Sequence, residues 1–375
     1  MSTNPTSRAW AEIDAAALLS NARTVQSSVG PHARLLPMVK ADAYGLGVAE
    51  AVQALKPIDP WGFGVATTEE GAELRALGVR RPVVVVSPVP EGSLDTALEA
   101  ELQIGISSLD ALRATENAAR SLGATAGIHL EIDTGMGRSG LDWREVDAWG
   151  PAVSHAAAHA LRWVGCYTHL HSADEGPASV HEQWLRLRGT LERLEPPEGV
   201  VVHVLNSAGA MRLPEYAVAV VRPGIFLYGG EAGEGLRAPE PVVELRARVV
   251  HLKEAAPGDT VGYGATYRAQ DSQSWATLSI GYADGLPRAL GNQGHALVRG
   301  VRVPIIGRIS MDVTVVDITG VPDVELGDAA TLIGGDGDNR ITLDEVADLA
   351  GTISYEVLTG LTTRIPRVWK GLGGS

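Results

Sequence analysis

Between residues 35 and 228, eight short apolar runs alternate with segments whose apolar residues recur at helical spacing. The runs are nearly continuous, which is typical of parallel strands covered on both faces. Eight such strands, most followed by a helix, predict an α/β fold with a TIM (β/α)8 barrel, and an open doubly wound sheet is the alternative. The predicted strands span residues 35–42, 62–67, 83–88, 103–107, 127–133, 163–169, 200–205 and 218–222.

The pattern changes after Pro239, where Gly and Pro separate apolar runs without helical segments between them. Residues 231–241 are small, charged and proline-containing, as is typical of a domain boundary. We therefore predict a barrel domain over residues 1–238 and a mainly β C-terminal domain over residues 239–375. In the second domain, strands are predicted at 242–252, 276–282, 296–305, 313–318 and 330–333, and one short helix at 342–350.

Composition narrows the classes of function. The net charge of −14 argues against a nucleic-acid surface. There is no run of 18 apolar residues and no N-terminal signal pattern, so we expect a cytoplasmic protein without a membrane span. The single cysteine, Cys166, lies in an apolar run and is interpreted as a core residue, so neither an internal disulfide nor a cysteine-based metal site is expected.

Polar residues lie at the carboxyl ends of the predicted barrel strands, where barrel enzymes place their active sites. Each has an ordinary structural explanation when it is taken alone. Together they predict one convergent site at the mouth of the barrel. These residues are Lys40, Arg138, His169, Asn206, Ser207, Arg222 and Gly224.

Lys40 follows the apolar run 35–39, so its amine is expected to be partly desolvated, which lowers the pKa and favours a nucleophile. The alternative is a lysine whose charged end simply reaches solvent. Ser207 and Gly224 follow predicted strands seven and eight, the usual phosphate position in barrels. A lysine amine beside a phosphate pocket suggests pyridoxal 5′-phosphate (PLP) as cofactor.

Motifs along nearly the whole chain carry a family resemblance. Residues 38–47 read Met-Val-Lys-Ala-Asp-Ala-Tyr-Gly-Leu-Gly, which is similar to the PLP-lysine signature of alanine racemases. The sequence therefore resembles this family of fold-type III PLP-dependent amino-acid racemases. Further motifs in the family's order lie at residues 133–138, 167–170, 206–208, 222–225, 262–267, 281–285, 307–312 and 353–356.

The resemblance implies a barrel followed by a β domain, and a homodimer in which the β domain of one subunit completes the active site of the other. It implies interconversion of L-alanine and D-alanine by two bases, and hence a role in D-alanine biosynthesis. Lys40 resembles the lysine that holds PLP and acts as base on one face of the substrate. Tyr263 resembles the opposite base, supplied by the other subunit.

Other roles are implied residue by residue. Arg138 resembles the arginine that hydrogen-bonds Tyr263 and a cofactor oxygen, and Arg222 the residue that faces the pyridine nitrogen. His169 resembles the histidine that supports the cofactor ring. The implied phosphate and cofactor contacts are Tyr44, Asn206, Ser207, Gly224, Ile225 and Tyr355. The implied substrate contacts are Arg138, Tyr282 at the entrance, and Met311 and Asp312 near the carboxylate.

Arg222 has a chemical consequence at such a position. Guanidinium hardly ever loses its proton, so it donates to an unprotonated ring nitrogen. The ring is then a weaker electron sink, and the carbanion has less opportunity for transamination. The sequence therefore predicts racemisation with few side reactions.

Glu131 is a departure from the family pattern. Many members have a carbamate-modified lysine two residues before the Asp of the Asp-Thr-Gly motif, here Asp133. We hypothesise that the Glu131 carboxylate supplies the same negative charge and orients Arg138 without carbon dioxide. The alternative is that Glu131 faces solvent and Arg138 is held in another way.

Three other functions remain open. The first is the same reaction on serine or another small amino acid, since one hydroxyl is a small energetic distinction in a pocket. The second is a decarboxylase, aldolase or dehydratase of the same fold, which Arg222 and the lack of a His/Cys ligand set disfavour. The third is a PLP-carrier barrel protein without catalysis, which residues 242–370 and Tyr263 disfavour.

Overall fold

The computed structural model describes residues 6–372 of the chain. The β-strands are β1 (Ala9–Asp14), β2 (Arg34–Leu35), β3 (Phe63–Val65), β4 (Val83–Val85), β5 (Gln103–Ile106), β6 (Ala126–Asp133), β7 (Leu141–Asp142), β8 (Leu161–Tyr167), β9 (Val201–His203), β10 (Val220–Val221), β11 (Val243–Ala255), β12 (Thr260–Val261), β13 (Tyr267–Arg268), β14 (Gln273–Leu278), β15 (His295–Val298), β16 (Val301–Ile306), β17 (Thr314–Asp317), β18 (Ala329–Asp336), β19 (Asn339–Ile341) and β20 (Arg367–Lys370). The α-helices are α1 (Ala15–Val29), α2 (Lys40–Gly45), α3 (Val48–Leu55), α4 (Thr68–Ala76), α5 (Leu94–Glu99), α6 (Leu109–Leu122), α7 (Val146–His159), α8 (Pro177–Leu194), α9 (Ser207–Arg212), α10 (Leu343–Ala350) and α11 (Ser354–Thr359).

Eight parallel strands form the barrel, in the order β2-β10-β9-β8-β6-β5-β4-β3. A parallel bridge between Met38 and Gly64 joins the two ends of this order, and the Val39 amide donates to the Gly64 carbonyl at 2.9 Å. The sheet is therefore closed, which confirms the barrel and rules out the open sheet. Most residues of the barrel strands are buried, as their apolar composition predicts.

Each predicted barrel strand has a counterpart, but the first was predicted too long. Strand β2 covers residues 34 and 35, whereas the prediction ran to residue 42. Residues 41–44 instead have positive φ angles of 52–58° and turn as a left-handed helix. Apolar periodicity carries no information about the hand of a turn, so this conformation was not visible in the sequence.

The second sheet has nine strands in the order β19-β18-β15-β16-β17-β14-β11-β1-β20, and all of them except β1 follow residue 242; β12 and β13 pair separately as a two-stranded sheet. The predicted strand 296–305 is wrong as a single strand, because it is the hairpin β15–β16. Its turn residues, Arg299 and Gly300, have φ angles of 50° and 77°, as two-residue hairpin loops require. The predicted single helix at 342–350 corresponds to α10, and a second helix, α11, follows it.

The N-terminal strand β1 lies in this second sheet. It pairs antiparallel with β11 and parallel with β20. Buried Glu12 accepts a hydrogen bond from the Trp10 indole at 2.8 Å and pairs with Lys370. The division of the chain after residue 238 stays a prediction, and residues 9–14 pair across it.

Two further observations bear on the class of protein. In the part of the chain that the structure describes, no helix is both long and apolar enough to span a membrane. Cys166 is fully buried, and burial raises the pKa of its thiol to about 12. The thiol therefore stays protonated and packs as a core residue, as interpreted from the sequence.

Candidate active site

A cavity of about 420 Å³ lies at the carboxyl ends of the barrel strands. Its size is that of a site for a cofactor and a small substrate. Ten of the residues named from the sequence line it: Lys40, Tyr44, Glu131, Arg138, His169, Asn206, Ser207, Arg222, Gly224 and Tyr355. Ile225 is buried beside Gly224, at 1% exposure.

Lys40 is the residue immediately before the left-handed turn at 41–44, and its side chain lines the cavity. Left-handed helix costs about 1–2 kcal/mol per residue for L-amino acids other than glycine, and such strain persists where surrounding contacts hold it. The Val48 amide donates to the Asp42 carboxylate at 2.7 Å, and the Tyr44 ring stacks on Tyr228 at a centroid distance of 4.6 Å. The turn thereby brings the Lys40 amine and the Tyr44 hydroxyl to the same cavity.

Glu70 anchors the start of this turn. Its carboxylate accepts from the Ala41 amide at 2.6 Å and from the Ala66 amide at 2.7 Å. It also belongs to a capping box with Thr67 at the start of α4. One side chain thus ties the lysine turn to the next βα unit.

Glu70→Ala is expected to lower the free energy of unfolding by about 1–3 kcal/mol, because the Ala41 and Ala66 amides lose their acceptor. Denaturation in urea measures the change, and Glu73→Ala, an exposed position on the same helix, is the control. Equal stability of the two variants would contradict the anchoring role.

Charges around Lys40 favour a neutral amine. Burial lowers the pKa of Lys40, the positive charge of Arg138 and then that of Arg222 lower it further, and Glu70 opposes them. Burial and the same two arginines lower the pKa of His169 to about 3. At neutral pH the histidine is therefore an uncharged ring beside an amine of raised nucleophilicity.

Ser207 and Gly224 form a small polar cradle at one end of the cavity. The Gly224 amide donates to the Ser207 hydroxyl at 2.8 Å. A Cβ at position 224 would lie 2.1 Å from the Tyr44 hydroxyl, so glycine is required for the approach of these groups. Asn206 accepts from the Gly209 amide at 2.9 Å and caps α9. The cradle presents hydroxyl and amide groups of the kind that bind phosphate.

Arg222 is 5% exposed and is held from below. Its Nη2 donates to the Thr168 carbonyl at 2.8 Å and its Nη1 to the His203 carbonyl. The guanidinium carbon lies 5.3 Å from the centroid of the Tyr167 ring. Burial lowers its pKa to about 10, so the group remains a cation at neutral pH.

Glu131 is 4% exposed, so the alternative that it faces solvent is wrong. Its Oε1 accepts from the Ser139 hydroxyl at 2.9 Å. Its Oε2 is buried and, among residues 6–372, has no hydrogen-bond partner. Burial raises the pKa of Glu131, while Ser139 and then the charge of Arg138 oppose that rise. Among the described residues, no ion pair within 4.0 Å joins Glu131 to Arg138. The electrostatic interaction between the two side chains therefore acts at longer range.

Four residues named from the sequence lie outside this cavity, on the second domain. Tyr263 is 70% exposed, Met311 is 53% exposed and Tyr282 is 41% exposed. Asp312 is also exposed and pairs with Arg364 at 2.7 Å. The Tyr282 and Met311 loops are joined by backbone hydrogen bonds such as Ala283 amide to Met311 carbonyl at 3.0 Å. Within one chain these four exposed residues do not line the cavity that holds Lys40.

Sequence reasoning missed several residues around the cavity. Tyr167 lines it and donates to the Val86 carbonyl at 3.0 Å. His129 and His203, both fully buried, lie beneath Arg222. A histidine inside each of two predicted apolar strands was a signal that polar groups meet in the barrel interior.

A closed barrel, a second sheet and a desolvated lysine facing a glycine-lined polar cradle define the class of barrel enzymes that use a lysine and a phosphorylated cofactor. Family models described as alanine racemase N-terminal and C-terminal domains match residues 13–232 and 242–369. An alanine racemase from Halothermothrix orenii is 36% identical over 382 residues, covering 99% of each chain.

Solved structures agree. The alanine racemase from E. faecalis superposes with a TM-score of 0.91 at 32% identity, covering 99% of this chain and 100% of its own. The alanine racemase from Bartonella henselae, solved with covalently bound pyridoxal phosphate, gives a TM-score of 0.89 at 29% identity, covering 97% and 100%. The chain therefore belongs to the alanine racemase family, which confirms the resemblance and the fold class.

Proposed function

We propose that this protein is a PLP-dependent amino-acid racemase that interconverts L-alanine and D-alanine. The observation that carries the proposal is the Lys40 amine, of lowered pKa, in one cavity with Arg222 and the Ser207–Gly224 cradle. The family membership supports the same reaction and the same cofactor.

The residues of the cavity fit PLP. Lys40 supplies the amine for its aldehyde, and the cradle of Ser207, Gly224 and Ile225 with the hydroxyls of Tyr44 and Tyr355 suits its phosphate. Asn206 and His169, which line the same cavity, would contact its ring. The four Nη protons of Arg222 face the His203 ring nitrogen and the His203, Thr168 and Val204 oxygens, so its Nε–H is the donor left for a ring nitrogen. The bound cofactor makes the α-proton acidic by delocalising the carbanion.

Proton transfer then needs two bases on opposite faces of the α-carbon. Lys40 Nζ removes the proton from one enantiomer, and Tyr263 of the partner subunit returns a proton on the other face. The reverse direction exchanges these roles, so proton number is conserved in both directions. Arg138, which lines the cavity, supplies positive charge where the tyrosine oxygen would carry negative charge.

Deuterium incorporation tests the two-base reaction. In D2O, L-alanine is expected to give D-alanine that carries deuterium at the α-carbon, before deuterium accumulates in the remaining L-alanine. Mass spectrometry of each enantiomer after chiral separation measures this. Equal early labelling of both enantiomers would indicate one base and contradict the role of Tyr263.

The shared active site predicts complementation between two inactive variants. Lys40→Ala and Tyr263→Phe each leave a homodimer with two defective sites. A heterodimer of the two has one intact site, so subunits mixed at equal amounts are expected to recover about a quarter of the unmodified activity. Re-association after mild dissociation, followed by a racemisation assay, measures it. No recovery, despite heterodimers detected by mass spectrometry, would place both residues in one chain's site.

Glu131 predicts activity that is independent of carbon dioxide. We expect Glu131→Ala to lower kcat by about ten-fold, because Arg138 loses the neighbouring negative charge. Added bicarbonate should not restore the rate. The exposed Glu145→Ala is the control. Full activity of Glu131→Ala would rule out the orienting role, and full activity of Glu131→Gln alone would indicate that a neutral polar side chain suffices.

A further inference from the structure

A relay of hydrogen-bonded polar side chains runs through the interior of the barrel, beneath the cavity. Its members are Arg222, His203, His129 and Gln103. Arg222 Nη1 lies 3.1 Å from His203 Nδ1, and His203 Nε2 lies 2.8 Å from His129 Nδ1. His129 Nε2 lies 2.7 Å from Gln103 Oε1, at the first residue of β5. The relay therefore links the cavity to the amino-terminal end of the barrel, in a place where barrels are usually filled by apolar side chains.

The two ends of this relay, Arg222 and Gln103, determine where each proton lies. A guanidinium only donates, so His203 Nδ1 accepts from Arg222 and carries no proton. A neutral His203 then holds its proton on Nε2 and donates it to His129 Nδ1. His129 in turn holds its proton on Nε2 and donates to the Gln103 amide oxygen. Reversing the Gln103 amide would reverse each bond and leave two donors facing each other at Arg222, so the arginine sets the direction.

Burial keeps both rings neutral. Burial, and then the charge of Arg222, lower the pKa of His129 to about 3 and the pKa of His203 well below its usual range. The direction of hydrogen-bond donation along the relay requires neutral rings, because a doubly protonated His203 would place a donor against the guanidinium.

The barrel is packed around these rings. A Cβ at position 165 would lie 2.1 Å from His129 Nδ1, so Gly165 on the neighbouring strand β8 makes room for the ring. The φ angle of Gly165 is not positive, so space rather than backbone conformation requires the glycine. The Tyr167 ring stacks on His203 with centroids 4.9 Å apart, which holds the second ring.

We propose that His129 and Gln103 are positioning residues for Arg222: they complete the hydrogen bonds of the Nε2–H tautomer that Arg222 imposes on His203, hold the His203 ring in place, and thereby direct the free Nε–H of Arg222 into the cavity. Neither residue lines the cavity. The consequence for catalysis rests on the proposed function, because Arg222 would act on the ring nitrogen of the cofactor. The tautomer itself is a property of the protein without cofactor.

The test compares Gln103→Leu with Gln103→Glu, which keeps an acceptor oxygen, and with Thr115→Val, which removes a different buried hydrogen bond, to the Ala111 carbonyl. In cofactor-free protein labelled with 15N-histidine, NMR is expected to show His129 and His203 as Nε2–H tautomers. Gln103→Leu should shift the resonance of the His129 Nε2 proton, because that proton loses its acceptor, and the other two variants should keep the native signal. An Nδ1–H tautomer in the unmodified protein, or no change in Gln103→Leu, would overturn the proposal.

The second readout is the ratio of pyruvate formed to alanine racemised after PLP is added. Gln103→Leu is expected to raise this ratio about 10- to 100-fold, because Arg222 is no longer held in place. Gly165→Ala, which displaces the His129 ring by a route independent of Gln103, should raise it likewise. An unchanged ratio in both folded variants would overturn the positioning role. Native tautomers in a protein that racemises no amino acid would instead contradict the proposed function and leave the relay intact.

Discussion

Lys40→Ala is expected to lower the rate of alanine racemisation by at least about 10³-fold. The substitution removes the amine that holds the cofactor and also the base on one face of the substrate, and positioned bases alone contribute about 10²–10⁴-fold. The variant should also lose the absorbance band of lysine-bound PLP. Optical rotation of an alanine solution measures the rate, and a visible spectrum measures the attachment.

The control is Lys56→Ala, at an exposed lysine outside the cavity, which should retain both the rate and the band. A Lys40→Ala variant that racemises alanine at the normal rate, or that still binds PLP covalently, would contradict the role of Lys40 in the site. Because Lys40 precedes the strained turn at 41–44, circular dichroism should confirm that the variant is folded.

Arg222→Glu is expected to give the second largest effect, a fall in racemisation of about 10²–10³-fold together with a higher ratio of pyruvate to racemised alanine. A carboxylate would favour a protonated ring nitrogen and a longer-lived carbanion, which increases transamination. The measurement is pyruvate by a coupled dehydrogenase assay alongside chiral chromatography of alanine.

Arg222→Lys is the matched variant, since it keeps the positive charge and removes the fork that bonds His203 and Thr168. It should lose rate without a comparable rise in the pyruvate ratio. An unchanged ratio in Arg222→Glu would contradict the link between ring protonation and reaction specificity.

The architecture was predictable where burial decides the sequence. Most residues of the barrel strands are buried, so these strands appear as continuous apolar runs, and all eight begin within two residues of their predicted starts. Strand β1 was not predicted because it pairs with β11, more than two hundred residues away, and nothing local indicates that partner. The Arg299–Gly300 turn was missed because apolar residues flank it on both sides and Arg-Gly is not one of the Asn-Gly or Asp-Gly pairs typical of two-residue hairpin loops.

The candidate site was predictable only in part. The strand-end rule brings Lys40, Ser207 and Gly224 together, because strand ends of one barrel meet at its mouth. The left-handed turn and the relay from Arg222 to Gln103 depend on backbone hand and on contacts across the barrel, which spacing along the chain does not record. The exposure of Tyr263 on the second domain is what a residue for the partner's site requires, and its role stays a proposal.

The central claim is that the protein racemises alanine with PLP. The most direct measurement is chiral chromatography after the purified, PLP-treated protein has been incubated with a panel of L-amino acids. We predict rapid formation of D-alanine, with serine and the other amino acids converted far more slowly. A clear preference for serine or another amino acid would keep the mechanism and change the substrate, and no racemisation of any amino acid despite bound PLP would contradict the account.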